Sequence, residues 1–305
     1  MGTAGFTSWQ RRNISRPSLR GRLAPHCDLI ECSRRRTFLG RLFGQPRGVR
    51  LRGGWYCLDP CVEHALRDAI ERMRPGTPRT IAHRIPLGLL LLSRQQLSER
   101  QLRTALEAQR AAGRGKIGEW LQSFGFVTDA EITAALARQW SCPVLRTKAF
   151  SLDTSRTPQL PVALLESFGM APVIYVSSTA TLHMAFSERI DYTALYAIEQ
   201  MLGCHTEPCL VLPSVLRTSL AARAGERFES EVVINRAGHA AEMARIVCGY
   251  AVCIEASEIR LAACGTHLWV RLLAAARDPL DLLLRPAIDS IGTARTNLTP
   301  EPSPA

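Results

Sequence analysis

Apolar positions between residues 84 and 142 recur twice at a fixed offset of 30 residues. Leu87-Gly88-Leu89-Leu90-Leu91 aligns with Ile117-Gly118-Glu119-Trp120-Leu121. The match continues from Leu97-Ser98, Leu102, Ala105-Leu106 and Gln109 onto Val127-Thr128, Ile132, Ala135-Leu136 and Gln139. Each copy predicts a short apolar helix, a turn and a longer amphipathic helix, since Leu102, Leu106 and Gln109 share one face at helical spacing. Ser98 with Gln101 and Thr128 with Glu131 fit the capping-box spacing, which marks the start of each long helix. Two such helical pairs can share a core as a four-helix unit.

The pattern changes after Pro143. Pro172 to Val176 and Thr181 to Phe186 read as strands, Thr193 to Leu202 as a helix, Leu210 to Leu212 as a strand and Pro213 to Ala224 as a closing helix. Residues 143–225 therefore read as an α+β lobe, and 84–225 as one domain. Farther on, Glu231 to Asn235, Ala240 to Cys253, Glu258 to Ala262 and His267 to Leu272 predict a small βαββ unit over 229–287, with a turn at Cys264-Gly265-Thr266. The expected fold class is α+β. Pro75-Gly76-Thr77-Pro78 reads as a linker, and 288–305 as a polar tail.

Charge adds little to this picture once it is located. The net charge of +11 over 305 residues is concentrated in residues 1–52, where twelve arginines face Asp28 and Glu31. The rest is close to balanced, so the folded body carries no nucleic-acid signature. Residues 1–25 read as a basic tail. The longest apolar run, Ile85 to Leu92, falls far short of the roughly 20 residues that span a bilayer. With no secretory signal pattern near the start, a cytoplasmic location is expected.

The repeat followed by this lobe resembles the N-terminal domain of type II secretion and type IV pilus assembly ATPases, whose tandem form is the cyclic di-GMP-binding MshE N-terminal domain. Lys116-Ile117-Gly118, Gly125, Ile132, Leu136 and Gln139 fit the family repeat. Pro86-Leu87-Gly88, Leu102, Leu106 and Gln109 fit it less closely, with Gln95 where a Gly belongs. In the lobe, Leu160-Pro161, Ala171-Pro172-Val173, Leu182-His183-Met184-Ala185-Phe186 and Glu207-Pro208 match in pattern. The family's Ala-Met-Asp-Pro element is represented only by Ala185-Phe186-Ser187-Glu188.

In the family an ATPase domain follows. A phosphate-cradling loop needs Gly-x-x-x-x-Gly-Lys and then a hydroxyl for Mg²⁺. Here Gly115-Lys116 has Arg110 in place of the first Gly and Ile117 in place of the hydroxyl, and the 80 residues after Gly225 are few for a motor. The resemblance thus implies a non-catalytic regulatory or docking module that binds a protein partner in a secretion or pilus machine, peripheral at the inner membrane through that partner. It also implies a rival role as a cyclic di-GMP sensor, with Lys116, Ile117, Gly118, Leu121, Leu87 and Gly88 as candidate ligand residues. An arginine opening each family copy can stack on guanine and fork onto its edge. Pro86 and Lys116 stand there instead, so weak or no binding is expected.

Of ten cysteines, Cys27, Cys32, Cys57 and Cys61 have usable ligand spacing. Gly54 to Cys61 followed by a helix through Arg74 resembles a treble-clef zinc fold, and residues 26–74 are a candidate zinc unit. Four thiolates close a tetrahedral shell and make the ion structural; the bland alternative is four unliganded thiols. Cys142, Cys204, Cys209, Cys248, Cys253 and Cys264 lie in apolar patterns and read as core thiols. Paired carboxylates and nucleophile motifs for catalysis are missing from the sequence.

Overall fold

The computed structural model describes residues 26–32, 47–73, 84–145, 157–225 and 230–286. The basic tail 1–25, the linker 75–78 and the terminal tail 288–305 lie outside the described residues.

The fold is mixed α+β. In chain order, strands β1 (Gly48–Leu51) and β2 (Gly54–Cys57) precede helix α1 (Cys61–Arg72). Helices α2 (Leu87–Ser93), α3 (Glu99–Ala112), α4 (Ile117–Ser123) and α5 (Asp129–Trp140) follow. Next come α6 (Val162–Phe168), β3 (Met170–Val176), β4 (Thr181–Phe186), α7 (Tyr192–Leu202), β5 (His205–Leu210) and α8 (Pro213–Gly225). The chain ends in β6 (Glu231–Ala237), α9 (Ala240–Cys253), β7 (Glu258–Cys264), β8 (His267–Leu273) and β9 (Leu280–Pro286).

Local chemistry sets most of these boundaries. Ser98 and Thr128 both form full capping boxes, each hydroxyl accepting from the backbone three residues on and each Gln101 or Glu131 side chain returning to the cap N–H. Asp191 caps α7 by accepting from the N–H groups of Thr193 and Ala194. Arg52 and Gly53 both take positive φ, 50° and 84°, as a two-residue hairpin with the right-handed strand twist requires.

A three-stranded sheet in the order β3-β4-β5 carries α7 against it, with Leu195, Ile198, Met201 and Leu202 turned inward onto Leu182, Met184 and Phe186. The larger sheet has six strands in the order β2-β1-β7-β8-β9-β6. Its strands alternate. Ile259, Leu261, Leu268, Val270, Leu272, Leu282 and Leu284 face α1 and α9, whereas Ala262, Cys264, Trp269 and Leu283 join the core of the three-stranded lobe.

Two features depart from the sequence reading. The 229–287 segment holds a fourth strand, β9, whose run Leu280-Asp281-Leu282-Leu283-Leu284 sits between β8 and β6. The β1–β2 hairpin is not confined to its own small unit. Arg50 and Leu51 pair in parallel with Glu258 and Ile259, and Val49, Leu51, Val62, Leu66 and Ala69 share one core with Val247 and Ala251 of α9. A four-residue strand with a partner about 200 residues away has no local signature, so spacing alone does not reveal the pairing.

Polar ties cross between the two sheets' surroundings. The Glu231 carboxylate accepts from Val162 N at 2.8 Å and Ala163 N at 2.9 Å. Arg260 Nη1 donates to Met201 O at 2.8 Å, and Arg285 Nη2 to Ser167 Oγ at 3.1 Å. No helix of the described residues is long and apolar enough to cross a membrane.

Candidate functional site

The two halves of the helical segment adopt the same local structure. Buried, half-buried and exposed positions coincide residue for residue between 87–100 and 117–130. Leu91 and Leu121 are fully buried, as are Ala105 and Ala135. Gln95 takes φ 59° where Gly125 takes 66°, so the glutamine holds the left-handed backbone that the second copy assigns to glycine. The copies also brace each other. Gln109 Nε2 donates to Gly115 O at 2.8 Å, and Gln139 Nε2 donates to Ile85 O at 2.7 Å. Each long helix therefore holds the backbone just before the other copy's short helix, a reciprocal arrangement in which α3 packs on α4 and α5 on α2.

The six candidate ligand residues divide between surface and core. Lys116 is the exposed N-cap of α4, and its ammonium pairs with the Glu188 carboxylate of the α+β lobe. Lys116 N also donates to Glu119 Oε2 at 3.1 Å. Leu87 reaches Gly118: a Cβ built on that glycine would stand 3.5 Å from Leu87 Cδ2. The starts of the two short helices thus meet. Gly88 is the tighter position, since a Cβ there would stand 2.7 Å from Leu102 Cδ1. Ile117 is half-buried, whereas Leu121 lies wholly inside the helical core and offers no surface. Pro86 has neither charge nor donor. The guanidinium carbon of Arg84, two residues earlier, lies 3.0 Å from the ring centroid of Trp140, and burial first of all lowers its pKa. Trp140 is half-buried, donates from Nε1 to Glu188 O at 3.1 Å and lies beside Tyr192.

The second site is the cysteine cluster. Cys27, Cys32, Cys57 and Cys61 are all buried, and their Sγ atoms lie within 4.8 Å of one another, with Cys32 and Cys57 at 4.0 Å. Among the described residues it is the one group of this kind, and it could hold a metal ion. Local structure brings the four together. Cys32 N donates to Leu29 O in a turn, Asp28 Oδ2 accepts from Trp55 N at 2.9 Å, β2 ends on Cys57, and Cys61 opens α1. Burial, then the neighbouring sulfurs, push the Cys57 thiol up to about 11 and Cys61 to about 12. Without a cation these thiols hold their protons; a bound cation would displace them. No disulfide joins the four. The spacing fits a metal: Zn–S bonds of about 2.3 Å in a tetrahedron put sulfurs about 3.8 Å apart. Of the other cysteines, Cys204, Cys209, Cys248 and Cys264 are buried in the apolar cores, Cys142 is half-buried and Cys253 is exposed.

A buried ion pair escaped the sequence reading. Arg271 and Asp281 face each other on β8 and β9, and Trp269 Nε1 donates to Asp281 Oδ1 at 2.8 Å. The available signal was a charge interrupting each of two apolar strands.

No family profile and no curated protein matches the chain. Among solved structures it is similar to MshE with cyclic di-GMP, at 28% identity over 46% of this chain and 99% of that one, with a TM-score of 0.39. It is also similar to two crystal forms of the XpsE N-terminal domain. One is 18% identical over 44% of this chain and 91% of that one, with a TM-score of 0.34. The other is 19% identical over 48% and 99%, with a TM-score of 0.28.

Proposed function

We propose that residues 84–225 are a non-catalytic regulatory or docking module of a type II secretion or type IV pilus-type system, and that the module binds a partner protein. The observation that supports this most is the reciprocal brace of Gln109 and Gln139. It gives a structural role to the glutamine that closes each copy of the family-like pattern, and it shapes two equivalent helical halves into one rigid surface. A two-hybrid matrix of the full chain against the secretion and pilus components of its own cell tests the reading. A specific, saturable partner among them is expected. Interaction with none of them, or magnesium-dependent nucleotide turnover by the pure protein, overturns it.

Cys27, Cys32, Cys57 and Cys61 are proposed to hold one structural zinc. Four soft thiolates suit zinc and leave no open position for a substrate. The expected metal content is one zinc per chain. Less than about a tenth of an equivalent, with the hairpin still folded, refutes the assignment.

A second reading, cyclic di-GMP sensing, is favoured by one observation: Gln95 keeps the backbone conformation of Gly125, so both halves retain the loop shape. Lys116 is already engaged by Glu188, and Pro86 supplies no charge. Calorimetry should therefore give weak or no binding. Submicromolar affinity that disappears in Lys116→Ala would make the nucleotide reading the better one.

A further inference from the structure

The two halves of the helical segment fold alike but do not present alike surfaces. Ile85 and Leu89 are 59% and 52% exposed, and their counterparts thirty residues on are Gly115 and Glu119. Because Gly115 and Glu119 support the same local fold, packing does not demand apolar side chains at these two places. Gln139 holds Ile85 through its carbonyl, and the next residue, Trp140, is covered on one side by Arg84 and lies 6.3 Å from the ring of Tyr192. Tyr192 and Tyr196, one turn apart on α7, are 44% and 57% exposed. An apolar and aromatic strip thus runs from α2 across the end of α5 to the outer face of α7.

The acids beside this strip are committed elsewhere, Asp191 to the cap of α7, and the charges left over are basic. Arg189 follows Glu188, whose carbonyl accepts from the Trp140 ring that Arg84 covers; burial lowers the Arg84 pKa first, Tyr192 opposes this, and Arg189 adds to the lowering. The neighbouring acid, Glu188, is taken by Lys116. Neither Arg84 nor Arg189 has an acidic partner among the described residues. Two guanidiniums without an acidic partner among the described residues, beside the exposed rings of Tyr192 and Tyr196 and the half-buried ring of Trp140, match the residue types that dominate binding energy at protein interfaces, and Arg forks readily onto a carboxylate.

We infer that the strip formed by Ile85, Leu89, Trp140, Tyr192 and Tyr196 is the docking surface, and that its occupant is an apolar segment of a partner protein carrying an Asp or Glu that pairs with Arg84 or Arg189. The inference rests on the docking reading only in requiring a protein partner. The test places a photo-crosslinking residue at Leu89 or Tyr196 of the full chain in its native cells, with Glu107 on an exposed face elsewhere as the reference position, and sequences the captured segment. Leu89 and Tyr196 should capture the same segment, apolar with at least one carboxylate, and Glu107 should not. Arg189→Glu or Arg84→Glu should then weaken that partner at least tenfold, and replacing the partner's carboxylate by Lys should restore binding. Circular dichroism identical to the parent's guards against misfolding. Capture of a basic or uniformly polar segment, of a second copy of this chain, or of nothing at either position overturns the inference, as does an unchanged affinity in both Arg189→Glu and Arg84→Glu. A secretion component captured through Glu107 instead would overturn this surface and leave the docking reading standing. An acidic apolar segment from an unrelated system would do the reverse.

Discussion

Arg271→Met should destabilise the whole body and not merely one strand. Arg271 and Asp281 are each 6% exposed. The guanidinium grips the carboxylate with both arms, Nε to Oδ1 at 2.8 Å and Nη2 to Oδ2 at 2.7 Å. Its Nη2 also reaches Gln159 O at 2.7 Å, on the segment leading into α6. The pair therefore sits where the six-stranded sheet meets the three-stranded lobe. Removing one member strands the other in a dry environment, which costs about 3–5 kcal/mol. That is a large share of the roughly 5–15 kcal/mol that holds a folded protein together. At about 2–4 °C per kcal/mol for a body of this size, Arg271→Met and Asp281→Leu should each lower Tm by about 6–20 °C. The double variant removes both charges, leaves no buried ion behind and should recover most of the loss. Scanning calorimetry with urea unfolding of the parent, both single variants and the double variant measures the coupling. Since Trp269 and Leu283 pack in the same core as Leu182 and Phe186, one cooperative transition is expected. Single variants costing under about 1 kcal/mol, losses that simply add in the double variant, or two separated transitions would refute the reasoning.

Chelation of the proposed zinc, or Cys57→Ser, should reduce hydrogen-exchange protection in β7 and α9 as well as in the hairpin, because Val62, Leu66 and Ala69 pack in the core of α9; loss confined to residues 26–57 would contradict the shared core. His267 has its pKa lowered, first by burial and then by Arg285, whose Nε donates to His267 Nε2. The folded state thus disfavours the proton, so stability present above the unfolded value of about 6.5 should fall as pH drops below it. His267→Gln should flatten that slope in urea titrations between neutral and mildly acid pH, and an unchanged slope would rule the histidine out. Gln139→Ala and Gln109→Ala should each cost about 0.5–1.5 kcal/mol by thermal melting, and a large difference between them would contradict the reciprocal brace.

The parts legible in the sequence are those whose physics is local. Ser98 with Gln101 and Thr128 with Glu131 mark their helices because a cap and its return bond lie three residues apart. The extent of β4 and α9 can be read from apolar spacing for the same reason. The cysteine cluster was legible as residue types, and its closeness depends on a hairpin that Arg52-Gly53 turns locally. The parallel contact of β1 with β7 was not, since only the register of Arg50 opposite Glu258 reveals it. Nor was the charge pair on β8 and β9, because each member looks like an isolated fault in an apolar strand until the two are set side by side. Trp140 shows a third limit. An indole at a helix end has the same sequence signature whether it points inward or lies under an arginine 56 residues earlier.

Helix α7 gives these separate observations one mechanical frame. Its inner face, Leu195, Ile198, Met201 and Leu202, fills the core beneath the three-stranded sheet, and its outer face carries Tyr192 and Tyr196. Its C-terminal carbonyl at Met201 accepts from Arg260, which belongs to β7. The same strand pairs with β1, whose hairpin ends on Cys57. A partner seated on the tyrosines would therefore press on a helix tied directly to an inner strand of the larger sheet, and the cysteine cluster lies at the edge that β2 forms. Glu231 on the α6 N–H groups and Arg285 on Ser167 add further ties along the same seam. With so many charged groups committed across it, the seam is costly to open, because each one would have to find new partners. The geometry consequently favours a rigid platform over a hinge, one on which the proposed docking surface would keep its shape.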